Sequence, residues 1–220
     1  MQNVYDPDVG LWVYDIDTVM QSQMLAGVFS DALAQETYGA SLAGMHWGLS
    51  TSSAGITISC EGYSNRLGEL ALFLFEQFFR PSSSRPERKV VTGGFLNESH
   101  FSAVKDRTIR SLKSYLKSQR ADSHAMYYRN LLVSSKGGGI EESLVSAEKT
   151  SLESLAAQHE IILENAMGFE CLYSGNVSMD EAKSFFKKAC KLHSETLSSW
   201  NASKDSQADA VRTPGKCNNV

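Results

Sequence analysis

Cysteine is scarce in this chain, and its spacing excludes two common uses of the residue. No two of the cysteines form a Cys-x-x-Cys pair, the usual source of ligands for a zinc knuckle. They are also too sparse for the disulfide framework that stabilises small secreted domains. The four cysteines are Cys60, Cys171, Cys190 and Cys217. We predict that the first three are buried free thiols.

Long apolar runs and basic leader segments are absent as well. No stretch approaches the run of about 18 apolar residues that a membrane-spanning helix requires. The beginning of the chain carries several aspartates, whereas secretory and transit signals are basic there. We therefore expect no membrane span and an intracellular, cytoplasmic location.

A concentrated basic patch of the kind that binds nucleic acid is missing. Lys and Arg number 21 against 25 Asp and Glu, the formal net charge is −4, and the basic residues are scattered along the chain. Affinity for a phosphate backbone requires clustered Lys and Arg. We therefore expect no nucleic-acid partner.

No catalytic motif can be identified in the sequence. The five histidines never recur at the spacing that places two imidazoles on one helix face for zinc. The pair His159-Glu160 is followed by Leu163 where a zinc motif would need a second histidine. Walker loops, dinucleotide-binding glycine motifs and the Gly-x-Ser-x-Gly elbow do not occur. Because spatial pairing with a histidine is not visible in sequence, a hydrolase using Cys60 or Cys171 stays open.

The apolar pattern that is present predicts an α+β fold. Helical spacing marks long helices at 18–38, 67–79, about 101–116 and 122–133, while strict alternation marks a half-buried strand at 55–63 with an antiparallel partner at 43–51. A further strand is predicted from Phe169 to Gly175. We therefore expect an antiparallel sheet packed against several long helices.

Capping signals and composition set the predicted boundaries. Thr150 to Glu153 and Ser178 to Glu181 match the capping box and predict two helix starts. We expect residues 1–17 to be an extended segment that includes a truncated first strand, 18–200 to be one α+β domain, and 201–220 to be a polar, disordered tail.

One stretch, residues 120–132, concentrates a charge, an imidazole and two adjacent phenols. With Asp122 as a helix N-cap, His124, Tyr127 and Tyr128 lie three and four residues apart on one face. In one interpretation the tyrosines and leucines face a core and His124 hydrogen-bonds locally. In the other, Arg120, His124, Tyr127 and Tyr128 form a surface for a peptide or a partner domain.

Four segments in register resemble the insulysin/pitrilysin (insulin-degrading enzyme-like) family of inverzincin metallopeptidases. Residues 30–50 are similar to a family helix followed by a segment of the type AxLAGLxxxL, and residues 55–64 to the next strand with its Gly-Tyr exit. Residues 120–128 resemble a RAEQPHQHAMYY-type helix in shortened form, and residues 174–177 a strand end of the form HGN(I/V). The order and spacing hold from about Thr18 to Leu197.

The resemblance implies the non-catalytic third, or middle, domain of a long enzyme built from four related α+β domains around a chamber. The zinc motif His-x-x-Glu-His of the family lies in its first domain, on a helix that corresponds to about Val19 to Asp31 here, and this stretch has neither His nor Glu. We therefore expect no cofactor, metal or catalytic residue on this chain, and zinc in the catalytic domain of a parent enzyme.

Two functional hypotheses follow from the sequence. In the first, the chain forms a wall of the peptide-substrate chamber and packs on the catalytic half, so its partners are peptide substrates and catalytic domains of the same or another chain. In the alternative, it is a free-standing pseudo-peptidase or protein-interaction module that binds without hydrolysis. Whether the chain is part of an active enzyme is uncertain at this point.

Overall fold

The computed structural model describes residues 3–6, 11–52, 55–63, 66–79, 95–118, 120–133, 139–165 and 170–205. The strands of this part are β1 (Asn3–Asp6), β2 (Leu11–Tyr14), β3 (His46–Ser52) and β4 (Gly55–Glu61). Its helices are α1 (Ile16–Leu33), α2 (Tyr38–Leu42), α3 (Leu67–Phe79), α4 (Glu98–Ser118), α5 (Ala121–Val133), α6 (Ile140–Lys149), α7 (Leu152–Asn165) and α8 (Met179–Asp205). The predicted α+β class is confirmed. None of these described helices is long and apolar enough to cross a membrane.

The strands form two separate hairpins. β1 pairs with β2 in antiparallel register, from Asn3 opposite Tyr14 to Asp6 opposite Leu11. Residues 1–17 therefore contain two paired strands, where we expected one truncated strand. β3 pairs with β4, and the alternation predicted for β4 is present, because Thr57, Ser59 and Glu61 are exposed while the residues between them are half-buried.

Helix α1 begins earlier and ends earlier than the apolar pattern predicted. Asp15 precedes it as N-cap: its carboxylate accepts hydrogen bonds from the Asp17 N–H at 3.1 Å and from the Thr18 hydroxyl at 2.6 Å. The helix stops at Leu33, and the next three residues, 34–36, are exposed in a turn. The predicted continuation to Tyr38 is wrong, because three consecutive exposed residues interrupt the apolar pattern before Thr37 is buried again.

One predicted capping box is confirmed and the other is wrong by one residue. Ser178 and Glu181 exchange bonds as expected, with the Ser178 N–H donating to Glu181 Oε2 at 2.9 Å and the Glu181 N–H donating to Ser178 Oγ at 3.3 Å. At α7 the reciprocal pair is Ser151 with Ser154. Thr150 is not the cap because its hydroxyl and its N–H both donate to the Ser146 carbonyl, which ends α6.

The C-terminal third departs from the predicted pattern of helix, strand and helix. Residues 170–174 have no regular secondary structure and Leu172 is 93% exposed, so the predicted strand Phe169–Gly175 is wrong where the structure describes it. A strand needs a neighbouring backbone to pair with, and alternation alone does not supply one. Helix α8 continues through residues 201–205, which we assigned to the tail, while 206–220 lie outside the described residues.

The chain divides into two compact units. The first comprises Met1–Ala34, Leu49–Thr57 and Phe95–His159, and the second comprises Gln35–Gly48, Ile58–Gly94 and Glu160–Val220. In the first unit α1, α4 and α6 pack on one another. Phe29 of α1 is fully buried and meets the ring of Phe95 edge-on, with the centroids 4.9 Å apart. Gly27 lets α4 approach closely, because a Cβ there would lie 2.9 Å from Val104 Cγ1.

A lysine of α4 links this helix to the C-terminal end of α6 within the first unit. Lys105 Nζ donates to the carbonyl oxygens of Glu148 at 2.9 Å and Thr150 at 2.6 Å. These oxygens lie at the C-terminal end of α6, where helix carbonyls lack intrahelical partners and the helix dipole is negative. One turn back along α4, the ring of Phe101 lies 5.7 Å from the same ammonium group.

Two hydrogen bonds to the Asp31 carboxylate also tie α1 to α4. Asp31 Oδ1 accepts from an Arg107 guanidinium nitrogen at 2.8 Å, and Asp31 Oδ2 accepts from His100 Nδ1 at 2.8 Å. The Arg107 hydrogen bond, followed by the bond from His100, holds the pKa of the Asp31 carboxyl below its ordinary value of 3.8. Asn97 caps α4 beside these hydrogen bonds by accepting from the His100 N–H at 2.9 Å. We read these groups as a structural clamp within the first unit.

The second unit is built around α3 and α8, which pack on each other. Leu70, Leu74 and Phe78 recur every four residues along α3 and are buried, as the dense apolar pattern predicted. His193 of α8 is buried and faces the rings of Phe75 and Phe79, with centroids 6.4 and 5.4 Å away.

Candidate functional site

Helix α5 carries the sequence-predicted residues on the outside of the first unit. Arg120 occupies the N-cap position, because its C=O accepts the first helical hydrogen bond, from the His124 N–H at 3.1 Å. Asp122 is therefore in the first turn and is not the N-cap that we predicted, although an acid there suits the helix dipole. Its carboxylate also lies 3.2 Å from Arg120 Nε, and both side chains are exposed.

No side chain of α5 is fully buried, although every one is described. The interpretation in which the tyrosines and leucines of this helix face a core is therefore met only by Tyr127 and Leu131, whereas Tyr128 and Leu132 are exposed. Tyr127, His124 and Leu131 are half-buried, while Tyr128 is 51% exposed. The helix covers the unit with one edge and leaves the rest of its surface to the outside.

The structure brings three of the four predicted residues together in an aromatic cluster with a residue that sequence reasoning missed. Tyr115 of α4 lies against His124 and Tyr127, with ring centroids 5.6 and 5.8 Å apart. Tyr128 stacks over His124 at 6.4 Å and meets Tyr127 edge-on at 5.1 Å. Tyr115 lies within the helix predicted at about 101–116, and only its ring contacts with α5 reveal its role.

Two members of the cluster have different tasks. The Tyr127 hydroxyl accepts a hydrogen bond from the Ile140 N–H at 2.7 Å, at the first residue of α6. That N–H is one of the unpaired donors of a helix start, so Tyr127 acts as a cap for α6 and holds α5 in place. Tyr128 has no such role among the bonds of the described residues and presents its ring to the outside.

Exposed apolar side chains continue the surface beyond the aromatic cluster. Met126 is 52% exposed, Leu132 88% and Val133 82%. Beside them is a shallow groove of about 390 Å³ lined by Tyr115, Asp122, Ser123, Met126, Tyr127 and Asn130. We call the exposed residues Met126, Tyr128, Leu132 and Val133 the α5 surface. Tyr128 and Leu132, four residues apart, lie on one side of the helix, and Met126 and Val133, seven residues apart, lie on another.

The described part of the chain shows no grouping of metal ligands. No three or more of its His, Cys, Asp and Glu side chains are grouped so that they could hold a metal ion. The stretch of α1 that corresponds to the zinc helix of the resembled family contributes Met24, Leu25, Val28 and Phe29 to the core. The residues present therefore do not fit a zinc site.

Raised pKa values disfavour Cys60 and Cys171 as nucleophiles. Burial raises the pKa of Cys60 to about 11 and raises the pKa of Cys171 above its ordinary value. Reactive cysteines have a lowered pKa and an electropositive neighbourhood. The hydrolase alternative therefore loses its chemical basis at both residues. The prediction of buried thiols is wrong for Cys171, which is exposed, and Cys60 and Cys190 are half-buried.

Comparison with known proteins connects this surface to a protein family. The sequence profile described as "Middle or third domain of peptidase_M16" matches residues 12–145, which run from within β2 into α6 and include the whole α5 surface. The A-factor-processing enzyme of Saccharomyces cerevisiae is 26% identical over 163 residues, covering 74% of this chain and 14% of the yeast protein. The insulin-degrading enzyme of Homo sapiens is 25% identical over 155 residues, covering 70% of this chain and 14% of the human protein.

A plant relative has the same relation to the chain. The insulin-degrading enzyme-like 2 protein of Arabidopsis thaliana is 25% identical over 171 residues, covering 78% of this chain and 16% of the plant protein. The chain thus spans only about a sixth of the length of these relatives or less.

Proposed function

Since the chain belongs to the family of middle or third domains of peptidase M16, we propose that it is a non-catalytic domain of an insulysin-like zinc metalloendopeptidase. The observation that carries this proposal is the family match over residues 12–145. The described residues group no metal ligands, so the zinc and the attacking water would belong to a catalytic domain elsewhere in a parent enzyme. The chain itself would contribute binding and not chemistry.

In this role the α5 surface would either line the peptide-substrate chamber or pack against the catalytic half of the enzyme. Exposed apolar residues on one helix favour both uses, because burying them is favourable at about 25 cal/mol per Å². Arg120 and His124 would add polar contacts at the N-terminal end of the surface, where both side chains are accessible. Tyr127 would support the surface from below by holding α6.

The partners in this proposal are catalytic domains of the same or another chain, and peptides. The names of the relatives mention A-factor and insulin, and we extend only the general class, a peptide or small protein, to this chain. The proposal places the chain in the cytoplasm, as expected from the sequence.

The size of the natural polypeptide tests the domain proposal. An antibody raised against residues 98–133 should detect, in an extract of the source, a band several times larger than the 24.2 kDa of this chain. A band near 24.2 kDa would contradict the proposal and favour the free-standing interaction module.

An activity test addresses the absence of chemistry. The purified chain should bind no stoichiometric zinc and should not cleave insulin. Cleavage that a chelator abolishes and added zinc restores would refute a non-catalytic role.

Matched substitutions test the α5 surface separately from folding. Tyr128→Gln and Leu132→Gln should weaken binding of fluorescent insulin, as measured by anisotropy, whereas Tyr63→Gln and Leu172→Gln should not. The controls are suitable because Tyr63 is 102% exposed and Leu172 is 93% exposed, both in the second unit. If all four variants bind alike, the α5 surface does not contact peptide, and its role would be limited to packing on another domain.

A further inference from the structure

Helix α8 of the second unit has one apolar face and one lysine face. Phe185 packs on Tyr173 with ring centroids 5.3 Å apart, and Ala189 and His193 continue this buried face at four-residue intervals. On the other side Lys183, Lys187 and Lys191 recur at the same interval. We call these three residues the lysine row, and Lys188 lies beside it.

The lysine row has few acidic partners among the described residues of the unit. Lys183 and Lys187 form no ion pair with any described residue, and Lys191 has only a long contact of 3.7 Å to Glu195. Asp180 lies at the start of the row, and Glu181 is engaged in capping Ser178. Like charges four residues apart destabilise a helix. The row therefore keeps a repulsion that an anionic partner would relieve.

The shape of the row decides which anion fits. Its three lysines span about 12 Å along the helix, at about 6 Å per step. Alternate side chains of an extended peptide lie about 6.6 Å apart on one side, so carboxylates at every second position match the row. A compact phosphate would need donors that converge on one point, whereas these lysines are arranged in a line.

A shallow depression gives the row room for a peptide backbone. It has a volume of about 400 Å³ and is lined by Asp180, Lys183, Ser184, Lys187, Lys188 and Lys191. Ser184 is among the lining residues, and a serine hydroxyl can donate to a carbonyl or carboxylate. The net charge of −4 repels long polyanions as a whole, which favours a short acidic segment over nucleic acid.

We propose that the lysine row binds an extended acidic peptide segment with carboxylates at alternate positions. This interaction lies on the second unit and does not depend on the proposed role of the α5 surface.

The test uses the full 220-residue chain and two labelled peptides of the same composition. One alternates Glu and Thr, and the other has all its Glu residues in one block. The alternating peptide should bind more tightly, and its affinity should fall as salt is raised. The triple variant Lys183→Gln, Lys187→Gln, Lys191→Gln should bind it about tenfold more weakly.

Two further variants separate charge position from folding and from net charge. The triple variant Lys113→Gln, Lys117→Gln, Lys149→Gln removes the same charge from exposed sites of the first unit and should change affinity less than about twofold. Replacing the lysine row by arginine should retain binding, and the glutamine variant should give the same far-UV circular dichroism spectrum as the parent chain, so that its loss of binding is not due to misfolding. Equal losses in both glutamine variants, equal binding of the two peptides, or tighter binding of tripolyphosphate through the same lysines would overturn the proposal.

Discussion

The contribution of the contact between Lys105 and the end of α6 can be measured by comparing Lys105 with Lys113, which contacts a side-chain carboxylate where Lys105 contacts main-chain carbonyls. Lys105 and Lys113 lie on the same side of α4, and both reach Glu148. Lys105 binds its main-chain carbonyl at 2.9 Å, whereas Lys113 binds its carboxylate Oε1 at 2.9 Å. Replacing each lysine by Met keeps most of the aliphatic stem and removes the charge. The two variants therefore compare a helix-end clamp with a surface ion pair.

The expected free energies of unfolding differ because the two lysines lose different partners. Lys105→Met removes two charge-assisted hydrogen bonds, which are worth about 1.5–3 kcal/mol each before water replaces them. Water can replace the hydrogen bond to the carbonyl of exposed Glu148. Thr150 is only 3% exposed, so water can replace little of the hydrogen bond to its carbonyl. We expect a loss of about 2 kcal/mol for Lys105→Met. Lys113→Met should cost less than about 1 kcal/mol because both members of its ion pair are about half exposed.

Urea denaturation followed by far-UV circular dichroism measures both variants. For a chain of this size 2 kcal/mol corresponds to a fall in Tm of about 4–8 °C, so calorimetry provides a second reading. The reasoning is refuted if Lys105→Met destabilises the protein no more than Lys113→Met. Such a result would mean that the carbonyls at the end of α6 are satisfied equally well by water.

Three other perturbations test the electrostatics, packing and thiols of the structure. The pKa of Asp31 is depressed in the folded state, chiefly by Arg107, so its stabilising contribution is present above the ordinary pKa of 3.8 and is lost as pH falls through the lower folded value. Asp31→Asn should therefore flatten the decline in the free energy of unfolding below about pH 4. An unchanged decline, measured by urea titrations at several pH values, would contradict this. Gly27→Val should lower the free energy of unfolding by about 1–3 kcal/mol, because a Cβ there would already lie 2.9 Å from a buried valine methyl of α4. A denaturation midpoint equal to that of the parent chain would show that the two helices can move apart at no energetic cost. Since the pKa of Cys60 is raised to about 11, Cys60 should alkylate very slowly with iodoacetamide at pH 7.4, and peptide-resolved mass spectrometry that finds it reacting faster than free cysteine would restore the thiol-hydrolase alternative.

A local sequence was sufficient wherever the chemistry is local. Ser178 and Glu181 mark the start of α8 because a hydroxyl and a carboxylate three residues apart can satisfy each other's N–H groups without help from the rest of the fold. The apolar row Leu70, Leu74 and Phe78 likewise predicted a buried face for α3. The absence of a zinc motif and the family resemblance were also visible in the sequence alone.

Local patterns were insufficient where two segments compete for one role. Thr150 and Glu153 match a capping box, but Thr150 bonds back to Ser146 at the end of α6, and the cap of α7 falls to Ser151. Residues 170–174 have the composition of a strand and are irregular, because strand formation depends on a partner backbone. The start of α7 therefore depends on where α6 ends, and the absence of a strand at 170–174 depends on the lack of a pairing partner elsewhere in the described residues.

Composition and periodicity predicted the α+β class, most helix positions and the residues of the aromatic stretch that begins at Arg120. Packing in three dimensions was needed to show that α5 has no fully buried residue, that Tyr115 completes the aromatic cluster, and that Asp31 joins residues 69 and 76 positions away. Periodicity specifies which side chains share a helix face, whereas burial and ion pairing depend on what packs against that face.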